Sequence, residues 1–328
     1  MSTTRSPRHL VIALVIGVAV CASSAAASTK TTVKQRKTAT TKTTSTKTTS
    51  TKTTSTKTTS TKTTTSTRGT VTAAAPSTVV PTTIQPGVPV SELLVAGASD
   101  LRPAFEELGK RFTAQTGTKV TFSFGSSGQL AQQIINGAPF DVFASADISY
   151  VDAVVAAGIG DSSTKATYAF GRLALWVPSN TQRRMFGVHD VLYPEFKRVA
   201  IANPEHAPYG VAAVEALKSA KIYDLVADRL VYGENVSDTY RLATSGNADA
   251  ALVSLSLVIA NRNGGRYVVV PVDQHAPLEQ AIVVAASKNR AFSATAFVAL
   301  VSSPAGRDVM RKYGFLLPGD PKPANSPD

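Results

Sequence analysis

The 328-residue chain carries 34 Lys plus Arg against 22 Asp plus Glu, a formal net charge of +12, and a single cysteine. The excess lies wholly in the first 90 residues, with 12 basic side chains and no acid, which leaves residues 91–328 balanced at 22 against 22. A nucleic-acid-binding role therefore loses its electrostatic basis, and with the one cysteine at Cys21 the remainder has neither disulfide nor thiol chemistry.

Residues 1–27 read as a secretory signal peptide. Arg5 and Arg8 give a positive start, Leu10 to Val20 is an apolar run, and Ala25-Ala26-Ala27 supplies an A-x-A cleavage site. The run is too short to span a membrane, which takes about 20 apolar residues. Lipid attachment at Cys21 is the alternative to plain cleavage, but Val20 stands where a small residue is usual. Residues 28–90 repeat Thr-Lys-Thr-Thr-Ser with a period of five from Thr41 and hold few apolar residues before Val71. Such a segment cannot bury enough surface to offset its chain entropy. The expectation is a disordered, Thr/Lys/Ser-rich stalk reaching about 45 Å as a flexible coil, stiffened at its end by Pro76, Pro81, Pro86 and Pro89. Its charge would favour an anionic cell surface.

From Ser91 onward, short apolar runs alternate with amphipathic helical stretches. Glu92–Ala96 reads as a strand; Leu101, Phe105, Leu108 and Phe112 then recur at helical spacing, and Gly117 stops the helix. Lys119–Phe124 is a second strand, followed by a helix carrying Leu130, Ile134 and Ile135. Asp141–Ala144 is a third strand, with Asp147 placed to cap the helix after it. Arg172–Val177, Arg198–Ala202, Leu252–Ser254, Tyr267–Val272 and Ala281–Ala285 read as further strands. The alternation predicts an α/β fold of two mostly parallel sheets, each of four or five strands.

The strand-to-helix turns carry the chemistry. Ala96-Gly97-Ala98-Ser99, Phe124-Gly125-Ser126-Ser127-Gly128, His206-Ala207-Pro208-Tyr209-Gly210 and Asn235-Val236-Ser237 each set small or hydroxyl residues at a helix start. A helix N-terminus has free N–H groups and about half a positive charge, and so accepts anions. Several converging on one cleft hold a dianion without Lys or Arg. Taken singly, Ser99 or Ser127 could equally be an ordinary N-cap.

Three of these segments, together with Gly137-Ala138-Pro139-Phe140-Asp141-Val142-Phe143-Ala144-Ser145-Ala146-Asp147, Asn203-Pro204-Glu205-His206 and Arg311-Lys312-Tyr313-Gly314-Phe315, resemble the periplasmic molybdate-binding proteins of ABC transporters. The resemblance covers residues 92–316. It implies a type II periplasmic binding protein fold: a solute-binding domain over 91–328, with lobe I about 91–171 and 283–328, lobe II about 172–282, and crossing strands near Arg172–Val177 and Gln280–Ala285. Trp176, the only tryptophan, would then lie on a crossing strand and report hinge motion. The implied ligand is molybdate or tungstate, with molybdenum present only as the oxyanion and no cofactor. The implied contacts are the hydroxyls and N–H groups of Ser99 and Ser127 and the backbone N–H groups of Tyr209 and Val236. Ser254 stands at the position of a tyrosine hydroxyl common in the family; its reach is shorter, and Tyr209 is the alternative hydroxyl. The implied partner is a transporter permease in the membrane. The expected protein is a monomer, exported to the periplasm or the outer face of the cell membrane or cell wall.

Other readings carry less. Phosphate or sulfate is the alternative oxyanion. Hydrogen phosphate bears a proton and needs an acceptor, which Asp100 would supply unless it merely complements its own helix. Ser127, His206 and Asp141 do not form a G-x-S-x-G elbow, and no H-E-x-x-H, P-loop or Cys/His pattern occurs, so an enzyme is not expected. A surface sensor or adhesion role would need a further domain or span, and none is read after residue 316.

Overall fold

The computed structural model describes residues 91–287 and 289–321. The signal peptide, Cys21 and the stalk fall outside the described residues. Among those described, no helix is long and apolar enough to cross a membrane.

The first lobe opens with β1 (Glu92–Ala98), a 3-10 turn at Ser99–Leu101 and α1 (Arg102–Thr116). Then come β2 (Lys119–Gly125), α2 (Ser127–Ile135), β3 (Val142–Ser145), α3 (Ile148–Ala156) and β4 (Ala166–Gly171). The second lobe contains β5 (Leu173–Pro178), β6 (Val199–Ala202), α4 (Pro208–Ser219), α5 (Tyr223–Val226), β7 (Leu230–Gly233), α6 (Val236–Thr244), β8 (Ala250–Ser254), α7 (Leu255–Ala260) and β9 (Gly265–Val269). The chain returns to the first lobe with β10 (Leu278–Val284), α8 (Ala291–Ser302) and α9 (Pro304–Lys312).

Each lobe is built on a five-stranded sheet, ordered β2-β1-β3-β10-β4 and β7-β6-β8-β5-β9. The two orders follow one plan. The first strand of the lobe lies between the second and third, in parallel, and the strand arriving from the other lobe joins antiparallel. The sheets are thus mixed rather than mostly parallel. Helices cover both faces, so β3 and β6 are buried along their whole length and read as continuous apolar runs. On one face of the first sheet Phe105 and Phe112 of α1 pack edge-on against Phe297 of α8. On the other, Leu130 and Ile134 of α2 and Val151 and Val154 of α3 close over Phe143 and Val283.

The second crossing differs from expectation in position. The first is the single residue Arg172, between β4 in one sheet and β5 in the other. The second is residues 270–277, not Gln280–Ala285. Ala281 to Val284 pair with β3, and Leu278 to Ile282 pair with β4, so β10 belongs wholly to the first sheet and the lobe boundary precedes 278. Pro271 and Pro277 bracket the connection, and proline cannot donate a ladder hydrogen bond. Trp176 is likewise no hinge residue. It pairs with Ala251 and Tyr267 inside the second sheet and stacks edge-on against Tyr240 of α6. Two strands, β4 and β7, carried no clear pattern in the sequence.

Candidate functional site

The four turns singled out above meet on one small cavity. The first lobe contributes Ala98, Ser99, Asp100, Gly125, Ser126, Ser127 and Ala146; the second contributes Ala207, Pro208, Tyr209, Asn235 and Val236. Its volume in this closed form is ≈ 10 Å³, about the least that holds one water. Only a small ligand suits such a site. A much larger open groove beside Trp176 and residues 180–183 is lined by the second lobe alone and gathers none of these turns.

Ser127 is the first residue of α2, and Ser126 before it is the N-cap. The Ser127 hydroxyl does not cap its own helix; its Oγ accepts the Ala146 N–H at 3.0 Å. A hydroxyl has one proton and two acceptor sites, so the proton remains to be given to a ligand. Ser99 is arranged the same way across the cleft. Its Oγ accepts the Ser237 N–H of α6 at 3.3 Å, and its carbonyl accepts the Ser237 hydroxyl at 2.9 Å.

The second lobe offers helix starts. Pro208 and Tyr209 are the first two residues of α4, and proline there costs nothing because that N–H would have no partner. Tyr209 keeps its backbone N–H in the first turn, where no intrahelical acceptor exists. Val236 begins α6, whose N-cap Asn235 takes the N–H groups of Ser237 and Asp238 at 3.0 and 3.1 Å. Capping those two leaves the Val236 N–H toward the cavity it lines.

Two expectations change. Ser254 is fully buried but does not line the cavity. It is the N-cap of α7, and its Oγ lies 3.0 Å from that of Ser256, whose hydroxyl donates to the Asp100 carbonyl at 2.6 Å. It supports the wall from behind. The Tyr209 hydroxyl is not a free donor to a ligand either, because it is given to Asp100 Oδ2 at 3.0 Å.

Asp100 anchors a buried polar network whose partners had no sequence signal. Gln280 of β10 donates to the same Oδ2 at 2.6 Å, and Tyr168 of β4 donates to Gln280 Oε1 at 3.0 Å. Burial drives the Asp100 carboxyl up to about 6, against the lowering effect of Gln280 and Tyr209. Burial, then the Asp100 charge, holds both phenols well above the usual range, so they act as neutral donors. Among the described residues no Lys, Arg or His lines the cavity, and no cluster of three or more His, Cys, Asp or Glu forms.

The lobes are closed on each other beside the cavity. His206 O accepts the Gly128 N–H at 3.0 Å and the Ser126 hydroxyl at 2.7 Å, and His206 Nδ1 is also 2.7 Å from Ser126 Oγ. His206 is thus a cleft-closing residue, and Asp141, the third member of the triad weighed above, is held elsewhere by Arg290 at 2.6 Å.

Residues 93–316 match the bacterial extracellular solute-binding proteins. The molybdate-binding protein ModA of Rhodobacter capsulatus is 36% identical over 225 residues, covering 69% of this chain and 88% of that protein. The chain belongs to the extracellular solute-binding family. A second member, the Azotobacter vinelandii molybdate-binding protein ModA, is 33% identical over 230 residues, covering 69% of this chain and 90% of its own. The solved structure of the Azotobacter vinelandii periplasmic molybdate-binding protein superposes with a TM-score of 0.65 at 30% identity, over 69% of this chain and 99% of that one. The two mixed sheets with alternating helices are the type II periplasmic binding protein fold of this family.

Proposed function

We propose that this chain captures molybdate, or the isosteric tungstate, in the cleft between its lobes and presents it outside the cytoplasmic membrane to the permease of an ABC transporter. The observation that carries the reading is the state of the two cavity serines. Ser99 and Ser127 each already accept a backbone N–H, so each hydroxyl proton is left for a ligand. With the N–H groups of Tyr209 and Val236 they form a set of neutral donors shared by both lobes. A fully deprotonated tetrahedral dianion needs donors only. Hydrogen bonds to a charged partner contribute about 1.5–3 kcal/mol each, so a handful, less ordering costs, reaches the roughly 8 kcal/mol of a micromolar complex. That the Rhodobacter and Azotobacter relatives are molybdate-binding proteins supports the choice of molybdate, and their class supports a binding protein rather than an enzyme. The protein acts as a monomer without a cofactor and without nucleic acid.

One observation favours a second oxyanion. Asp100 lines the cavity, and a carboxylate acceptor suits hydrogen phosphate. Calorimetric titration of the full chain with molybdate, tungstate, sulfate, phosphate and thiosulfate separates the two. Molybdate and tungstate are expected to bind at least about a hundredfold tighter than phosphate, roughly 2.7 kcal/mol. Phosphate binding as tight as molybdate overturns the molybdate reading.

A further inference from the structure

Among the described residues lining the cavity, Asp100 is the only carboxyl. It is fully buried, and its two oxygens are treated unequally. Oδ2 accepts from Gln280 and Tyr209, whereas Oδ1 is buried with no hydrogen-bond partner. A buried polar atom left without a partner is costly and calls for an occupant. Asp100 lines the cavity, so an ion bound there is the partner available to Oδ1. A bare carboxylate oxygen there would repel a dianion, in surroundings where water does not screen the pair. One proton removes the conflict and gives Oδ1 its hydrogen bond.

We propose that the site takes up its oxyanion together with one proton, held between Asp100 Oδ1 and a ligand oxygen. The inference rests on the reading that the oxyanion occupies this cavity. With molybdate the proton comes from solvent onto Oδ1, and the neutral carboxyl donates to the anion. With hydrogen phosphate the proton arrives on the ligand, and the ionised carboxylate accepts it. No bond of the ligand breaks in either case. Asp100 then sets which protonation state of an oxyanion is bound, and at what cost in proton concentration.

The surroundings of Asp100 permit this. From α4 it faces Tyr209, and from β4 the Tyr168 phenol acts through Gln280; both phenols are neutral. Gln280 of β10, Ser256 of α7 and Ser237 of α6 bring no charge. The backbone N–H groups of Asp100 and Leu101 also lower the carboxyl's pKa, and no Lys, Arg or His is among the groups that shift it. Burial is the dominant cause and already places the carboxyl at about 6. Above that pH it is ionised in the free protein, and an adjacent dianion raises it further. Binding therefore takes up a proton at pH 7–8.5, and affinity strengthens as pH falls until the free carboxyl is itself protonated.

The test is calorimetry of the full chain with molybdate in Tris and in HEPES, whose ionisation enthalpies differ, across pH 6–8.5. Wild type is expected to take up close to one proton per anion at pH 7.5, with Kd weakening up to about tenfold per pH unit above 7 and levelling near 6. Asp100→Asn replaces Oδ1 by an amide donor. It is expected to abolish proton uptake, flatten the pH profile of the molybdate Kd to within about threefold and weaken any binding of phosphate. If wild type binds molybdate with no proton uptake and a flat profile, while Ser127→Ala has lost affinity, the proton inference is overturned and the site reading stands. If Ser127→Ala and Ser99→Ala bind as wild type does, the anion is elsewhere and both fall. Should Asp100→Asn fail to fold, the two-buffer measurement on wild type decides alone.

Discussion

Ser99 and Ser127 do the same chemical task from different places. Each hydroxyl takes a backbone N–H on its oxygen and keeps its proton for the cavity, so each is oriented before a ligand arrives. Replacing Ser127 with Ala removes one donor to a charged partner and should weaken molybdate binding by about 1.5–3 kcal/mol, one to two decades in Kd. Ser99→Ala should lose a similar amount and also remove the shared contact by which the Ser237 N–H reaches across the lobes, leaving that N–H on Asn235 alone. Calorimetry reads both. The two serines were legible in the sequence because small and hydroxyl residues cluster at turns that open helices. The network of Asp100, Tyr209, Gln280 and Tyr168 was not. Gln280 lies 180 residues from Asp100 and Tyr209 lies 109, and nothing local marks either as a partner. For the same reason the Tyr209 hydroxyl looked available, and Ser254 looked like part of the wall, until the fold showed where each side chain turns.

At the scale of elements, the site is a meeting of helix starts, and its glycines set how closely those starts approach. A Cβ on Gly210 would stand 2.2 Å from the Ala202 carbonyl oxygen, so α4 can begin directly against the end of β6 only with glycine there. Gly128 does this between lobes: a Cβ would come 2.9 Å from the His206 carbonyl oxygen, which accepts the Gly128 N–H. Gly128→Ala should therefore strain the closed form, while within the first lobe the Tyr150 ring, 3.1 Å from the same Cβ, shifts slightly. The expected result is a Kd weakened roughly ten- to hundredfold, the effect of about 1–3 kcal/mol of overpacking, with only a small fall in melting temperature without ligand. A large loss of thermal stability would place the strain inside a lobe instead. Strand identity was readable where apolar runs were long, as in β1 and β6, or where apolar and polar residues alternate, as in β2. It failed for β4 and β7, whose Ala, Gly and Tyr content carries no period, and for the assignment of β10 to a sheet. An apolar run says that a strand is buried on both faces and does not say between which neighbours.

For the whole molecule, the donors are divided. Ser99 and Ser127 stand on the first lobe, and Tyr209 and Val236 on the second, so on the proposed reading a ligand would complete its shell only when the lobes close. A ligand drives closure only by binding the closed form better, and this division supplies that difference. The two crossings, Arg172 and residues 270–277, are where a hinge rotation would be absorbed. Trp176 packs wholly within the second lobe against Tyr240, so its emission should follow local packing rather than the hinge. Where the anion sits is read from diffraction of crystals of the full chain grown with molybdate, measured at the molybdenum absorption edge. One strong anomalous peak is expected inside the cleft, with anion oxygens about 2.7–3.2 Å from Ser99 Oγ, Ser127 Oγ and the backbone nitrogens of Tyr209 and Val236. A peak elsewhere on the protein, or a cleft without one at saturating molybdate, would contradict that placement.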